Sequence, residues 1–174
     1  MPLALKIALM GLTGIAAITD LYSRWIPNAL VVVGFAAGVA LNIWLNGWSG
    51  LAQSMLGFGL ALLIYVPLFI LRAMGGGDVK LMAAVGSILG PRDWFIVFIY
   101  ASVAGGVIAL AMLLARNALG QTFYNMMHIV KELAHFRAPY KSRDTLDIAS
   151  QQALTMPHGV AIAIGAALFL LGQP

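Results

Sequence analysis

The stretch LALLIYVPLFILRAMGGGDVKLMAAVGSILG, residues 60–90, places three consecutive glycines and an aspartate between two strongly apolar segments. The second of these segments runs from Val79 to Leu89 and is ended by the turn signal Gly-Pro-Arg-Asp. As a helix it would be only about 16 Å long at 1.5 Å per residue, against a bilayer hydrocarbon core of about 30 Å. The Gly-Gly-Gly-Asp segment is therefore predicted to lie within membrane depth, where non-helical backbone must be covered by protein or line a wet cavity.

The composition of the 174-residue chain is that of a membrane protein rather than of a soluble domain. It is 61% hydrophobic and 9% charged, with a mean hydropathy of +0.93, whereas soluble domains carry about 25% charged residues. The net charge of +4 is spread thinly and forms no basic helix, so no nucleic-acid partner is expected. The chain has no cysteine and its three histidines lack the spacing of a metal motif, so neither a metal nor a cofactor is expected.

Six apolar segments predict an all-α integral membrane protein, with a single six-helix transmembrane domain over residues 1–174. They cover about residues 3–19, 28–45, 51–71, 79–89, 94–115 and 154–171. Most reach the roughly 17–25 residues that a spanning helix needs, and the fourth does not. The first resembles a signal peptide, but the segments that follow favour an uncleaved helix. Glycine pairs with GxxxG spacing would let helices, or two copies in a homo-oligomer, approach closely.

The distribution of lysine and arginine predicts the orientation of these segments. Eight basic residues fall in the first, third and fifth loops, and two fall in the other loops and the termini. The positive-inside rule then places the odd-numbered loops in the cytoplasm and both termini outside it. The long fifth loop, residues 116–153, carries apolar residues at spacings of three and four, which predicts an amphipathic helix. It would lie either in the membrane interface or against the cytoplasmic ends of the bundle.

Two aspartates lie at the cytoplasmic edges of apolar segments. Asp20 ends the first predicted helix and Asp78 begins the fourth, so the predicted topology puts both on one side at similar depth. If these helices touch, the carboxylates can share a proton and act as general base and general acid on water and a leaving amine. A structural alternative stays open for each residue, because Asp78 can cap the fourth helix and Asp20 can pair with Arg24.

Three motifs resemble those of a known family. The motif GGGDVKL at 75–81 contains the Gly-x-Gly-Asp signature of membrane aspartyl proteases, and DLYSRWIPN at 20–28 resembles the Asp-(x)5-Ile-Pro-Asn segment of type IV prepilin peptidases. The segment MPHGVAIAIGAAL at 156–168 resembles the final helix of that family. The short chain is most similar to the peptidases of tight-adherence (Flp) pilus systems. The resemblance implies catalytic roles for Asp20 and Asp78, and motif or supporting roles for Gly75, Gly76, Gly77, Lys80, Pro27 and Asn28.

The resemblance also implies a reaction and a location. The expected enzyme is an aspartic endopeptidase in the bacterial inner membrane that removes the short basic leader of prepilins at the cytoplasmic face. Its substrate would be a prepilin or pseudopilin whose hydrophobic helix lies in the bilayer. Methylation of the new N-terminus is not expected, because the chain lacks the paired CxxC motifs of the larger family members. Two alternatives remain: a transporter or pilus-assembly factor that uses the aspartates as a proton or ion relay, and a peptidase for archaeal preflagellins.

Overall fold

A computed structural model describes residues 1–71, 74–116, 120, 124, 127 and 157–173. All regular secondary structure among these residues is helical. The helices are α1 (Leu3–Ser23), α2 (Asn28–Ile70), α3 (Gly76–Ala115) and α4 (His158–Leu171). By length and composition, α1, α2 and α3 can each cross a membrane. The amphipathic helix predicted within residues 116–153 falls almost wholly outside the described residues.

Both long helices are broken at a glycine. Gly47 interrupts α2 with φ 59° and ψ −137°, and Gly90 interrupts α3 with φ 75° and ψ 175°. Both values of φ lie in the region that only glycine adopts readily, and Pro91 follows the second break. Each long helix therefore consists of two arms, and the six predicted apolar segments fall on α1, the four arms and α4.

Two helix ends differ from those predicted. The first helix continues beyond Asp20 to Ser23 and ends where Arg24 takes a left-handed conformation with φ 51°. The helix that was predicted to start after Asp78 starts two residues before it, at Gly76. The prediction placed each helix end at a charged residue. In the structure each aspartate lies within its helix and accepts a hydrogen bond from a backbone N–H group, that of Gly159 for Asp20 and that of Gly75 for Asp78. Both carboxylates thus project from regular helix.

The first arm of α3, Gly76–Leu89, is the most buried part of the described fold, with almost every residue from Val79 to Gly90 excluded from the surface. Gly57 of α2 and Gly86 of α3 bring the two backbones into contact, and a methyl group on either would collide with the other chain segment. The break at Gly90 frees carbonyl groups at the end of this arm. The Asn42 amide nitrogen donates to two of them, the carbonyls of Ser87 and Ile88 at 3.1 and 3.0 Å, and shares its two hydrogens with the carbonyl of Gly38 in its own helix at 3.0 Å.

Exposed apolar and aromatic side chains cover the outside of the helices, as expected for a surface that faces lipid. Tyr22 and Trp25 are exposed at one end of the first arm of α2, and Trp44 and Trp48 are exposed at the other. That arm, residues 28–46, is about 28 Å long at 1.5 Å per residue, close to the thickness of a bilayer core of about 30 Å. Tryptophan and tyrosine favour the two membrane–water interfaces, so the spacing of these aromatics matches a helix that spans the bilayer.

Candidate active site

Asp20 lies in the last turn of α1 and is buried, with 7% of its surface exposed. Its Oδ2 accepts a hydrogen bond of 2.7 Å from the backbone N–H of Gly159, the second residue of α4. The first N–H groups of a helix have no partner within it, and the helix dipole there favours a negative charge. The start of α4 therefore holds the Asp20 carboxylate through a backbone N–H group.

The contact between α1 and α4 requires a glycine at position 159. A Cβ atom placed on Gly159 would lie 3.0 Å from both the Cβ and the Oδ2 of Asp20, and 3.3 Å from the carbonyl oxygen of Ala16. Favourable contacts between carbon atoms lie at about 3.5–4.0 Å. Any larger residue would thus push the start of α4 away from the Asp20 carboxylate.

Asp78 is the third residue of α3 and is partly buried. Its carboxylate accepts a hydrogen bond from the backbone N–H of Gly75, the residue that precedes the helix. This is the bond that an acidic residue at the third helical position makes in a capping box. Asp78 therefore caps the start of α3, as the structural alternative proposed, and it does so from the third helical position. This bond leaves other lone pairs of the carboxylate available to a substrate or a water molecule.

The two carboxylates come together although 57 residues separate them in the chain. The charges of Asp20 and His158 both act on the Asp78 carboxylate, and the Asp78 charge acts in turn on the Tyr65 phenol. The four side chains come from α1, α4, α3 and α2, so all four helices converge here. Two carboxylates within electrostatic reach cannot both ionise cheaply, which is the condition under which a pair shares one proton.

The motif around Asp20 and the motif around Asp78 also pack directly against each other. Ile26 is buried against Gly77, where an added Cβ would lie 3.5 Å from the Ile26 Cβ. Pro27 precedes the first residue of α2, Asn28, and the Asn28 Oδ1 accepts a hydrogen bond of 3.1 Å from the Lys80 Nζ. The Ile-Pro-Asn segment thus fixes the turn between α1 and α2 onto the start of α3.

The structure shows how the candidate supporting residues pack. Lys80 is exposed, and its ammonium donates a hydrogen bond to Asn28, which links the two motifs. Gly76 lies close to Phe69 of α2, where an added Cβ would be 3.3 Å from the ring. An added Cβ on Gly75 would lie 3.2 Å from the Asp78 Oδ2. The glycines of the motif therefore make room for α2 and for the carboxylate itself.

Gly159, His158 and Tyr65 belong to the site, but the sequence did not mark them as site residues. The segment at 156–168 was recognised as a family-like helix without a role for any of its residues, and its Pro-x-Gly pattern was the available signal. Tyr65 is buried within an apolar run, and its ring packs edge-on against Trp94 and Phe98. Among the described residues, no three His, Asp or Glu side chains lie close enough to hold a metal ion.

Comparison with known proteins identifies relatives. The family model of the type IV leader peptidase family matches residues 7–110, which include both aspartates. A prepilin leader peptidase/N-methyltransferase of Myxococcus xanthus (strain DK1622) is 31% identical over 110 residues, which are 60% of this chain and 33% of that protein. A protein of the same description from Bacillus subtilis (strain 168) is 30% identical over 103 residues, which are 58% of this chain and 41% of that protein.

The matched region spans between a third and about two fifths of these two relatives. No solved structure matches the chain significantly. The family match covers more than half of the chain, and it contains both motifs whose residues the structure brings together at the ends of α1 and α3. The chain therefore belongs to the type IV leader peptidase family.

Proposed function

We propose that the protein is an aspartic endopeptidase that removes the basic leader of prepilins at the cytoplasmic membrane face, with Asp20 and Asp78 as its catalytic pair. The observation that carries the proposal is that these two carboxylates, from distant points of the chain, lie within electrostatic reach of each other where α1, α3 and α4 meet. The names of the two relatives, both prepilin leader peptidases, supply the substrate class.

The chemistry follows from a pair that holds one proton. The ionised carboxylate takes a proton from a water molecule, and the resulting hydroxide adds to the carbonyl carbon of the scissile peptide. The protonated carboxyl group then donates its proton to the nitrogen that leaves, so that the C–N bond breaks and the pair again holds a single proton. The pair titrates as a unit, and the two roles are therefore assigned to the pair rather than to Asp20 or Asp78 individually.

The surroundings of the pair suit this exchange. The N–H of Gly159 binds Asp20 and the N–H of Gly75 binds Asp78, so both carboxylates keep their orientation while a proton moves between them. Fixed backbone donors need no rearrangement when charge develops during the reaction. The three glycines before Asp78 support the pair through packing, since their missing side chains let Phe69, Ile26 and the Asp78 carboxylate approach the start of α3.

The proposal includes a membrane topology. α1, the four arms of α2 and α3, and α4 would form six spans with both termini outside the cytoplasm and the ends of α1 and α3 nearest the site on its cytoplasmic side. A prepilin inserts its hydrophobic helix in the bilayer and keeps its leader in the cytosol, so its scissile bond would reach the depth of Asp78. The membrane would be the bacterial inner membrane. Methylation of the new N-terminus is not part of the proposal.

The test is cleavage of a purified prepilin with a basic leader by the protein reconstituted in lipid vesicles. We expect a shortened product with the wild type, and a loss of at least about 1,000-fold with Asp20→Asn or with Asp78→Asn, because either change removes the shared proton. Asp93→Asn is the matched control, since Asp93 lies beyond the Gly90 break, at the start of the second arm of α3, whereas Asp78 lies at the start of the first. Normal cleavage by either of the first two variants would overturn the aspartyl mechanism.

The same preparation separates the alternatives. A proton or ion relay predicts flux across the vesicle membrane that depends on both aspartates, with no cleaved product. An archaeal preflagellin assayed beside the bacterial prepilin distinguishes the two peptidase substrates by their relative kcat/KM.

A further inference from the structure

A cavity of about 250 Å³ is lined by residues of α2, α3 and α4. Its lining includes Tyr65 of α2 and His158, the residue before Gly159, whose backbone N–H binds the Asp20 carboxylate. Both lining side chains also interact electrostatically with Asp78. The rest of the lining comes from the second arm of α3 and from α4 and includes Gly106, Ala109 and other small or apolar residues. The cavity therefore shares two residues with the surroundings of the aspartates and is otherwise mostly apolar.

The size of this cavity limits what it can hold. Pockets for drug-sized ligands measure about 300–1,000 Å³, so a volume of about 250 Å³ suits a single side chain better than a free ligand. Its lining is mostly hydrocarbon, and burial of an apolar group there is favourable at roughly 25 cal/mol per Å². Tyr65 and His158 belong both to this lining and to the surroundings of Asp78, so the cavity is placed to receive a side chain of a substrate bound at the aspartates.

We propose that the cavity binds one apolar side chain of the substrate, from a residue that flanks the scissile bond, and that Ala109 and Gly106 set how large that side chain can be. The proposal rests on the proposed peptidase function and adds a determinant of specificity to it. Both residues lie on the second arm of α3, away from the two aspartates, so they can be enlarged without changing the catalytic pair.

Neither enlargement meets an obstacle in the folded protein. A Cβ atom added to Gly106 has no neighbour within 4 Å, and Ala109 lies on the cavity wall without being fully buried. Ala111 is the matched control, because it is exposed two positions further along the same helix and does not line the cavity. Replacement of Ala109 or Ala111 by leucine adds the same atoms to the same helix, and only one of the two narrows the cavity.

The experiment uses synthetic prepilin substrates in which the residue on either side of the scissile bond is alanine, leucine or phenylalanine. We expect the wild type to prefer the larger residue on one of the two sides. Ala109→Leu should lower kcat/KM for the preferred large residue about tenfold or more through a higher KM, the range that a change of pocket size produces. The loss of kcat/KM should be smaller for the alanine substrate, whose side chain does not fill the cavity, and Ala111→Leu should behave as the wild type.

Three results would overturn the proposal: no size preference of the wild type on either side, an unchanged preference in Ala109→Leu, or the same loss in Ala111→Leu. If Ala109→Leu does not fold, Gly106→Leu gives a second test of the narrowed cavity. The failure of the wild type to cut any of the substrates would refute the proposed function instead. Cleavage with an unchanged size preference would refute only the cavity assignment.

Discussion

Replacement of Gly159 by alanine changes the site by one methyl group and leaves both aspartates in place. The added Cβ would lie 3.0 Å from the Cβ and the Oδ2 of Asp20. Since favourable carbon contacts lie at about 3.5–4.0 Å, the start of α4 must move from α1 by a few tenths of an ångström, or Asp20 must rotate away. Either movement stretches the 2.7 Å hydrogen bond from the Gly159 N–H to the carboxylate.

The size of the effect follows from that bond and that displacement. A hydrogen bond to a charged group contributes about 1.5–3 kcal/mol, which corresponds to roughly 10–150-fold in rate if it is lost only in the active arrangement. The displacement of a few tenths of an ångström adds less than the roughly 100-fold that a misplacement of about 1 Å costs. We therefore expect Gly159→Ala to cleave prepilin about 10–100 times more slowly than the wild type. Stability should change by less than about 2 kcal/mol, because alanine is the better helix former by about 1 kcal/mol.

The assay is the initial rate of prepilin cleavage in vesicles, with thermal unfolding measured on the same samples. Gly14→Ala is the open-space control, because a Cβ on this residue of α1 has no neighbour within 4 Å. Gly165→Ala is the packing control, since its Cβ would approach the backbone of Ala101 at 2.6 Å without touching Asp20. Gly165→Ala should lower the melting temperature but leave the cleavage rate per folded molecule unchanged. A wild-type rate for Gly159→Ala would refute the role of this contact.

Two further predictions concern the packing that supports the site. Lys80→Met removes the hydrogen bond to Asn28, and because both residues are exposed, we expect the free energy of unfolding to fall by less than about 1 kcal/mol. A double-mutant cycle with Asn28→Ala, measured by chemical denaturation, should give a coupling energy of roughly 0.5–1 kcal/mol. A coupling energy of zero would contradict the pairing. Gly57→Ala forces a methyl group against the backbone of Gly86. It should cost about 3 kcal/mol or more, whereas Gly59→Ala, which has open space, should be neutral or up to about 1 kcal/mol stabilising. Equal melting temperatures for the last two variants would contradict the close contact of the helices.

The sequence predicted most of the helical framework because apolar runs and turn residues are local signals. The interruptions at Gly47 and Gly90 fall within the two short connections that were predicted, although the chain passes through each with a single non-helical residue rather than a longer loop. The convergence of Asp20 and Asp78 was also within reach, because orientation and depth follow from charge counts and segment lengths. That the helices carrying them touch could not be derived, since periodicity fixes the buried face of a helix but not its neighbour.

The remaining partners of the site were hidden for physical reasons. Gly159 acts through its backbone N–H and its missing side chain, and neither property distinguishes it from the other glycines of a glycine-rich chain. Tyr65 sits in an apolar run, where an aromatic residue is expected to pack rather than to contact a charge. Asn42 is a polar amide within an apolar segment. Its partners, the carbonyls of Ser87 and Ile88, lie 45 and 46 residues away in the chain, so no local pattern indicates them.

Asn42 and the Gly90 break together explain how a helix can be short enough to carry Asp78 inside a bilayer. The first arm of α3 spans about 21 Å at 1.5 Å per residue, roughly 10 Å less than a bilayer core. A helix that ends within the membrane leaves carbonyl groups that no water can satisfy, at several kcal/mol each. The Asn42 amide supplies donors to two of them, and the indole N–H of Trp94 donates to the carbonyl of Met82 within the same arm at 3.0 Å. In the proposed topology, the depth of the Asp78 carboxylate therefore depends on the opposite end of the first arm of α3. There the Gly90 break ends the arm early, and Asn42 stabilises that end.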